Sequence, residues 1–313
     1  MDSPAILLMG PTGAGKTDLA LALAESLPLE IVSVDSAMVY RGMDIGTAKP
    51  DPETLARVPH HLVDVADPAE RYSAGRFLED AKAAMVLIRE RGRIPLLAGG
   101  TMLYFRALQS GLAEMPSADP AVRQRIDERA AREGWPALHA ELARLDPVAA
   151  SRIQPRDRQR LQRALEILEL TGEPPSARWQ QPLRSGSRPG DLKLVLAPAD
   201  RAALAGRIQQ RFSRMMELGL LAEVRRLYER GDLGPERPSV RAVGYRQLWE
   251  HLAGRCGLQE AAGRAVVATR QLAKRQLTWL RAEPAVEWHE SLDPRTPARV
   301  ADRVRQWLEQ QGG

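Results

Sequence analysis

Apolar residues in this chain follow two rhythms, and the order of those rhythms predicts the fold. Three short, largely unbroken apolar runs come first: Ala5-Ile6-Leu7-Leu8-Met9, Glu30-Ile31-Val32-Ser33-Val34 and Ile94-Pro95-Leu96-Leu97-Ala98. Each is too short for a buried helix and is closed by Gly or Asp, which predicts strands buried on both faces. After the first, the period becomes helical, with Leu19, Ala20, Leu23, Ala24 and Leu27 on one stripe ahead of Pro28. A loop rich in Gly and Pro fills about 41–59, and a second helix is expected over about 74–91. Strands alternating with helices predict the α/β class, with a parallel sheet covered on both faces.

From about residue 115 to Gly172 the pattern is helical only, opening on Asp119 as N-cap with Pro120 in the first helical position. The stretch 172–190 reads as a linker, and Leu192-Lys193-Leu194-Val195-Leu196 returns the chain to the sheet. Helices follow at about 200–230, 239–253, 258–282 and 296–311, with an edge strand expected at Ala285 to Trp288. The expected organisation is an α/β core over 1–115 and 191–313, which keeps the C-terminal helices, and an all-helical insertion domain over 116–190.

Composition narrows the class. The 313 residues include one cysteine, Cys256, so an internal disulfide is excluded, as is a zinc site built on paired thiolates. No apolar run approaches membrane-spanning length and no leader pattern is visible, so the expected setting is cytoplasmic, without membrane contact. The net charge of +5 is unevenly laid out. Residues 1–116 hold 11 basic and 15 acidic side chains, 117–200 hold 14 and 12, and 201–313 hold 20 and 13. That skew points to a polyanionic partner for the later part of the chain.

The sharpest local signal is Gly10-Pro11-Thr12-Gly13-Ala14-Gly15-Lys16-Thr17. It satisfies the phosphate-loop pattern between a predicted strand and a predicted helix, making the core P-loop NTPase-like. Its backbone amides and the helix N-terminus suit phosphate oxygens, Lys16 adds a cation, and the Thr17 hydroxyl suits Mg²⁺. The motif holds phosphates and leaves the rest of the ligand open. Asp35 ends the second strand, and Thr101 follows the third through Gly99-Gly100. Ligands gather beyond the carboxyl ends of parallel strands, so the loop, Asp35 and Thr101 should share one crevice. Asp35 suits a general base and Thr101 an orienting hydroxyl, and a small-molecule kinase remains open on these features alone. The adjacent His60 and His61, with no third ligand at useful spacing, read as structural. Cys256 reads as inert and Trp279 as core.

Several stretches together resemble the bacterial tRNA dimethylallyltransferases. They are the loop itself, Asp35-Ser36-Ala37-Met38-Val39-Tyr40 running on to Pro50, Pro59-His60-His61-Leu62-Val63-Asp64-Val65, Gly99 to Tyr104, Val243 to Gln247, and Arg270 to Arg281. The resemblance implies transfer of a dimethylallyl group from dimethylallyl diphosphate to N6 of adenosine 37 in tRNAs reading codons that start with U. It implies Asp35 as the base, Thr101 near the reacting nucleotide, the P-loop on the diphosphate and Mg²⁺ as cofactor. It implies contacts to the anticodon stem-loop from Asp35, Ser36, Ala37, Met38, Thr101 and Arg123. Further contacts are implied at Gln159, Arg160, Leu161, Gln162 and Arg163, at Val240, Arg241, Ala242, Val243, Gly244 and Tyr245, and at Lys274, Arg275 and Arg281. The chain is expected to act as a monomer.

Overall fold

The computed structural model describes residues 4–113, 115–179 and 190–312. In chain order the first part holds β1 (Ile6–Met9), α1 (Lys16–Ser26), β2 (Leu29–Val34), α2 (Pro52–Arg57), β3 (His60–His61), α3 (Ala74–Glu90), β4 (Ile94–Gly99) and α4 (Met102–Ser110). There follow α5 (Pro120–Glu133), α6 (Trp135–Leu145), α7 (Pro147–Arg152), α8 (Arg158–Thr171) and α9 (Pro175–Trp179). The last part holds β5 (Leu192–Ala197), α10 (Arg201–Glu217), α11 (Leu220–Glu229), α12 (Tyr245–Leu252), α13 (Leu258–Arg281), β6 (Glu287–Glu290) and α14 (Thr296–Gly312).

Two compact units result. One takes in the described residues up to Leu108 together with those from 190 onward; the other takes in those from Gln109 to 179. The first unit is built on a parallel sheet in the order β3-β2-β4-β1-β5-β6. Alternate residues of its strands feed opposite faces. Leu7, Met9, Val32 and Val34 enter one core with α3, α10, α12 and α13, while Ile6, Leu8, Leu29 and Ile31 enter the other with α1 and α14. Burial on both faces explains why the strands read as continuous apolar runs. The helical unit has its own core of Val122, Ile126, Leu138, Leu142, Leu161 and Leu165. Its first helix starts as expected: Asp119 Oδ1 accepts from the Ala121 and Val122 amides at 2.8 and 3.1 Å, with Pro120 behind the cap.

Four local expectations need correction. The loop over 41–59 contains α2, capped by Asp51, and is followed by the two-residue strand β3. The segment 239–244 is not helical: Gly244 has φ 93°, a left-handed conformation that breaks the helix, and its amide donates to Gln247 Oε1 at 2.9 Å, so α12 starts only at Tyr245. The edge strand lies two residues later than expected, at Glu287–Glu290. The linker over 172–190 begins with a helical turn, α9, and its residues 180–189 lie outside the described residues.

Candidate active site

Three connections meet at the carboxyl end of the sheet: the P-loop after β1, Asp35 after β2 and Thr101 after β4. A cavity of about 480 Å³ opens there, lined by Thr12, Asp35, Ser36, Ala37, Thr101, Arg211, Gln276 and Trp279 among others. A second cavity of about 850 Å³ borders Gly13, Gly15, Lys16, Thr17, Arg207 and Arg211. Lys16, Thr17, Asp35 and Arg211 also share a small cavity of about 80 Å³. The P-loop is therefore reached from two sides.

Cations gather around the loop. Lys16 Nζ folds back to donate to the Pro11 carbonyl at 2.8 Å. Burial, then the neighbouring Arg211 charge, lower its pKa to about 7, against an opposing pull from Asp35. Arg211 on α10 is likewise held below its ordinary value by burial, while Asp35 and Asp18 oppose the shift. Its Nη2 donates to the Thr47 carbonyl at 3.3 Å, and Arg207 Nε donates to the Gly13 carbonyl at 2.9 Å. Two partly desolvated cations beside converging amides make a receptor for a strongly anionic group such as diphosphate.

Asp35 is anchored by one oxygen. Its Oδ1 accepts from the Ala37 and Met38 amides at 2.8 and 3.2 Å, which makes an Asx turn. Among the described residues Oδ2 has no hydrogen-bond partner, and Asp35 lines the 480 Å³ cavity. Thr101 is fixed from both sides: its amide donates to the Val34 carbonyl at 3.2 Å and its Oγ1 accepts from the Ser36 amide at 3.1 Å. The carboxylate and the hydroxyl thus stand next to each other at the ends of β2 and β4. For a metal, Thr17 is exposed beside Lys16, and no cluster of three His, Cys, Asp or Glu occurs among the described residues. A single hydroxyl suits Mg²⁺, which keeps its waters and is carried by phosphate oxygens, and does not suit a metal held by protein alone.

Segment 240–245 reaches this cavity through Arg241, Ala242, Val243, Gly244 and Tyr245, whereas Val240 is buried in the core. Tyr245 lines the cavity and is almost fully buried. Its hydroxyl donates to Glu223 Oε1 at 2.6 Å, and burial followed by the Glu223 charge raises the phenol above its ordinary value. Glu223 also accepts from the Asp44, Ile45 and Gly46 amides at 2.9, 2.8 and 3.1 Å, holding the loop that carries Thr47. On α13 the basic residues Lys274, Arg275 and Arg281 are exposed, and Ala273, Leu277 and Leu280 are buried. Arg275 borders the cavity. Trp279 is not a core residue: it is 40 % exposed, lines the cavity and carries the Arg106 guanidinium 5.7 Å from its ring centroid. His60 and His61 are bound within the first unit, His60 Nδ1 to the Val58 carbonyl and His61 Nε2 to Glu30.

The helical unit holds the remaining expected residues. Leu161 is fully buried in its core and offers no surface to a partner. Arg123 and Arg163 both grip Glu166, which is fully buried, at 2.8 Å from Arg123 Nε and 2.6 Å from Arg163 Nη1. Gln162 donates to Asp127 at 2.7 Å. Gln159 is exposed, as is Arg160, whose side chain keeps 70 % of its surface open.

Sequence reasoning missed Arg211, Glu223 and Gln276. A signal exists for two of them. Glu223 sits in the apolar stripe Leu220, Val224, Leu227, and Gln276 in the stripe Ala273, Leu277, Leu280. A polar residue at an apolar position of a helix is a residue bonded to something specific.

Comparison with known proteins gives a consistent result. The profile of the IPP transferase family matches residues 38–283, and that of isopentenyl transferase matches 4–65. A tRNA dimethylallyltransferase of Thioalkalivibrio sulfidiphilus is 58 % identical over 99 % of this chain and 96 % of its own length. One from Methylococcus capsulatus is 57 % identical over 96 % of this chain and 97 % of its own. A crystal structure of the tRNA isopentenylpyrophosphate transferase of Bacillus halodurans aligns with TM-score 0.71 at 36 % identity, over 99 % of this chain and 98 % of that one. A eukaryotic dimethylallyltransferase captured acting on tRNA aligns with TM-score 0.82 at 26 % identity, over 98 % of this chain and 80 % of that one.

Proposed function

The chain belongs to the IPP transferase family, and we infer that its crevice moves a dimethylallyl group from dimethylallyl diphosphate to N6 of adenosine 37 in tRNAs reading codons that start with U. The chain is a prenyltransferase that modifies tRNA. One observation carries the finer reading: Asp35, Thr101 and the P-loop border two cavities at one end of the sheet that share Thr12, Asp35, Gly100 and Arg211 in their walls, as a transfer between a base and a diphosphate requires.

The chemistry follows from the residues. The adenine N6 lone pair is delocalised into its ring, so the amine must be placed against the allylic carbon and lose a proton. The free Oδ2 of Asp35 accepts that proton, and Thr101 helps orient the base. The new N–C bond forms as the C–O bond to diphosphate breaks. Negative charge then grows on the leaving group, where the amides of Gly13 to Thr17, Lys16 and Arg211 stabilise it. Thr17 and the phosphate oxygens would hold Mg²⁺, which neutralises part of that charge when bound. The target base leaves the anticodon-loop stack to enter, costing a few kcal/mol. Arg241, Lys274, Arg275 and Arg281 suit the phosphates around it, and Trp279 offers a ring face at the cavity. Among the described residues no helix is long and apolar enough to cross a membrane. We place the enzyme in the cytoplasm, acting as a monomer.

The test uses unmodified tRNA, Mg²⁺ and dimethylallyl diphosphate, with the anticodon-loop fragment weighed afterwards. The expected result is a gain of one dimethylallyl group without ATP. No gain, or gain only with ATP, overturns the reading. Asp35→Ala should abolish transfer and keep tRNA binding; lost binding with normal residual turnover removes the base assignment.

A further inference from the structure

One polar side chain in the cavity wall has no part in the chemistry above. Gln276 lies on α13, is only 8 % exposed, and has both ends of its amide engaged. Its Oε1 accepts from the Thr12 amide at 2.9 Å and its Nε2 donates to the Gly100 carbonyl at 2.8 Å. The contact is tight by construction: a Cβ on Gly100 would stand 2.4 Å from Nε2, so glycine is what lets the amide in. One bond fixes the loop that takes the leaving group. The other fixes the peptide that leads into Thr101, whose own amide and hydroxyl are tied to Val34 and Ser36.

The two bonds have separate consequences. Thr12 lies at the cavity-facing start of the P-loop, and with its amide capped it does not compete with the amides of Gly13 to Thr17 for phosphate oxygens. Gly100 follows β4, so its peptide sets where Thr101 stands against Asp35. A single amide therefore spans the two halves of the crevice, the half that receives diphosphate and the half that handles the attacking amine. It does so from a helix whose exposed flank bears Lys274 and Arg275.

We propose that Gln276 is a positioning residue that sets the spacing between the diphosphate loop and the Asp35–Thr101 pair. The proposal rests on the transfer reaction inferred above. An in-line displacement is sensitive to such spacing, and a misplacement of about 1 Å costs roughly 10²-fold in rate. The effect should fall on kcat, because Gln276 binds backbone and not substrate.

The experiment compares wild type, Gln276→Leu and Gln276→Glu by steady-state transfer, with circular dichroism and a thermal melt on each. Gln276→Leu should lose roughly 10²-fold in kcat, with KM for tRNA within about threefold. Gln276→Glu is the sharper probe. An ionised carboxylate can accept from Thr12 but cannot donate to Gly100, whereas a protonated carboxyl does both, as the amide does. The ratio of its kcat to that of wild type should therefore rise as pH falls, while the Gln276→Leu ratio stays flat. Asp35, Arg211, Arg241 and Arg275 are the charged groups sharing the cavity, and they are common to all three proteins. The pH rescue keeps the test decisive even where Gln276→Leu folds poorly. A folded Gln276→Leu protein with kcat within threefold of wild type overturns the proposal, as does a Glu ratio independent of pH. Wild-type turnover in the same assay tests the transfer reading separately: a wild type that transfers, beside variants that match it, removes the positioning role alone.

Discussion

Cations in the crevice and cations in the helical unit live under opposite conditions. In the crevice, Lys16 and Arg211 lie within ion-pair distance of no carboxylate among the described residues; each donates to one backbone carbonyl. In the helical unit several arginines are already matched by carboxylates. Arg123 and Arg163 share Glu166, Arg125 holds Glu169, and Arg129 bridges Glu133 and Glu141. The crevice carries fewer basic residues and is the better anion receptor, because Lys16 and Arg211 beside the P-loop are tied up in no ion pair among the described residues. Counting Lys and Arg along a chain measures supply; the structure shows how much of it is already engaged.

The contrast is most exposed to attack at Glu166. It is a fully buried acid with two arginines and the Asp119 amide around it. Burial alone would raise its carboxyl, but the hydrogen bonds from Arg123, Arg163 and the Asp119 amide prevail and hold it below its ordinary value. Glu166→Ala should destabilise the protein by about 3 kcal/mol, near the low end for such a loss. Arg123 and Arg163 are 19 % and 31 % exposed and can turn partly to water once the acid is gone. Glu169→Ala, which frees an exposed Arg125, should cost no more than about 0.5 kcal/mol. Urea melts of both variants check this; equal costs would mean that the Glu166 cluster is an ordinary surface pair. The stability from Glu166 is full above the unfolded carboxylate value and is lost as pH falls through its lower folded value.

A milder challenge applies to Lys16. With its pKa lowered to about 7, it is largely neutral in the free protein at pH 8 and must take up a proton to meet diphosphate. The bound pKa therefore exceeds the free one. Affinity is full below pH 7 and falls as pH rises from the free value towards the bound one, by at most about tenfold, or 1.4 kcal/mol, per unit. Titration calorimetry with inorganic diphosphate in two buffers of different ionisation enthalpy reads the proton directly. Uptake should appear at pH 8 and vanish in Lys16→Met. No uptake in wild type would mean that the crevice lysine is as ordinary as those on the surface.

How much of this could be read from the chain depends on the range of the interaction. Parallel strands buried on both faces print themselves as apolar runs, and the P-loop is a contiguous motif, so the sheet, the loop and Asp35 were readable. The helix break at Gly244 was not, because a left-handed φ leaves no mark in a periodic pattern. Arg211 and Gln276 act on the P-loop from positions roughly 200 or more residues away, and only the fold brings them there. Trp279 sat at a position whose period favoured burial, yet the cavity leaves it open.

The smallest effect belongs to Arg160, and it discriminates between the two kinds of cation within the helical unit itself. Its side chain is 70 % exposed and its only ion pair among the described residues is a loose 3.5 Å contact with Asp157. If the unit meets tRNA, Arg160 behaves as a crevice-type cation that is free to release counterions, and Arg123 as a structural one. Arg160→Ala should then leave the melting curve unchanged, weaken tRNA binding by a few-fold, equivalent to about 1 kcal/mol or less, and reduce the salt slope by about 1. Arg123→Ala should do the reverse, lowering stability because the buried Glu166 loses a partner. Filter binding across a salt series, beside melts of both variants, separates them. A salt slope that drops for Arg123→Ala with stability intact would show that the Glu166 cluster presents its arginines outward as an RNA surface.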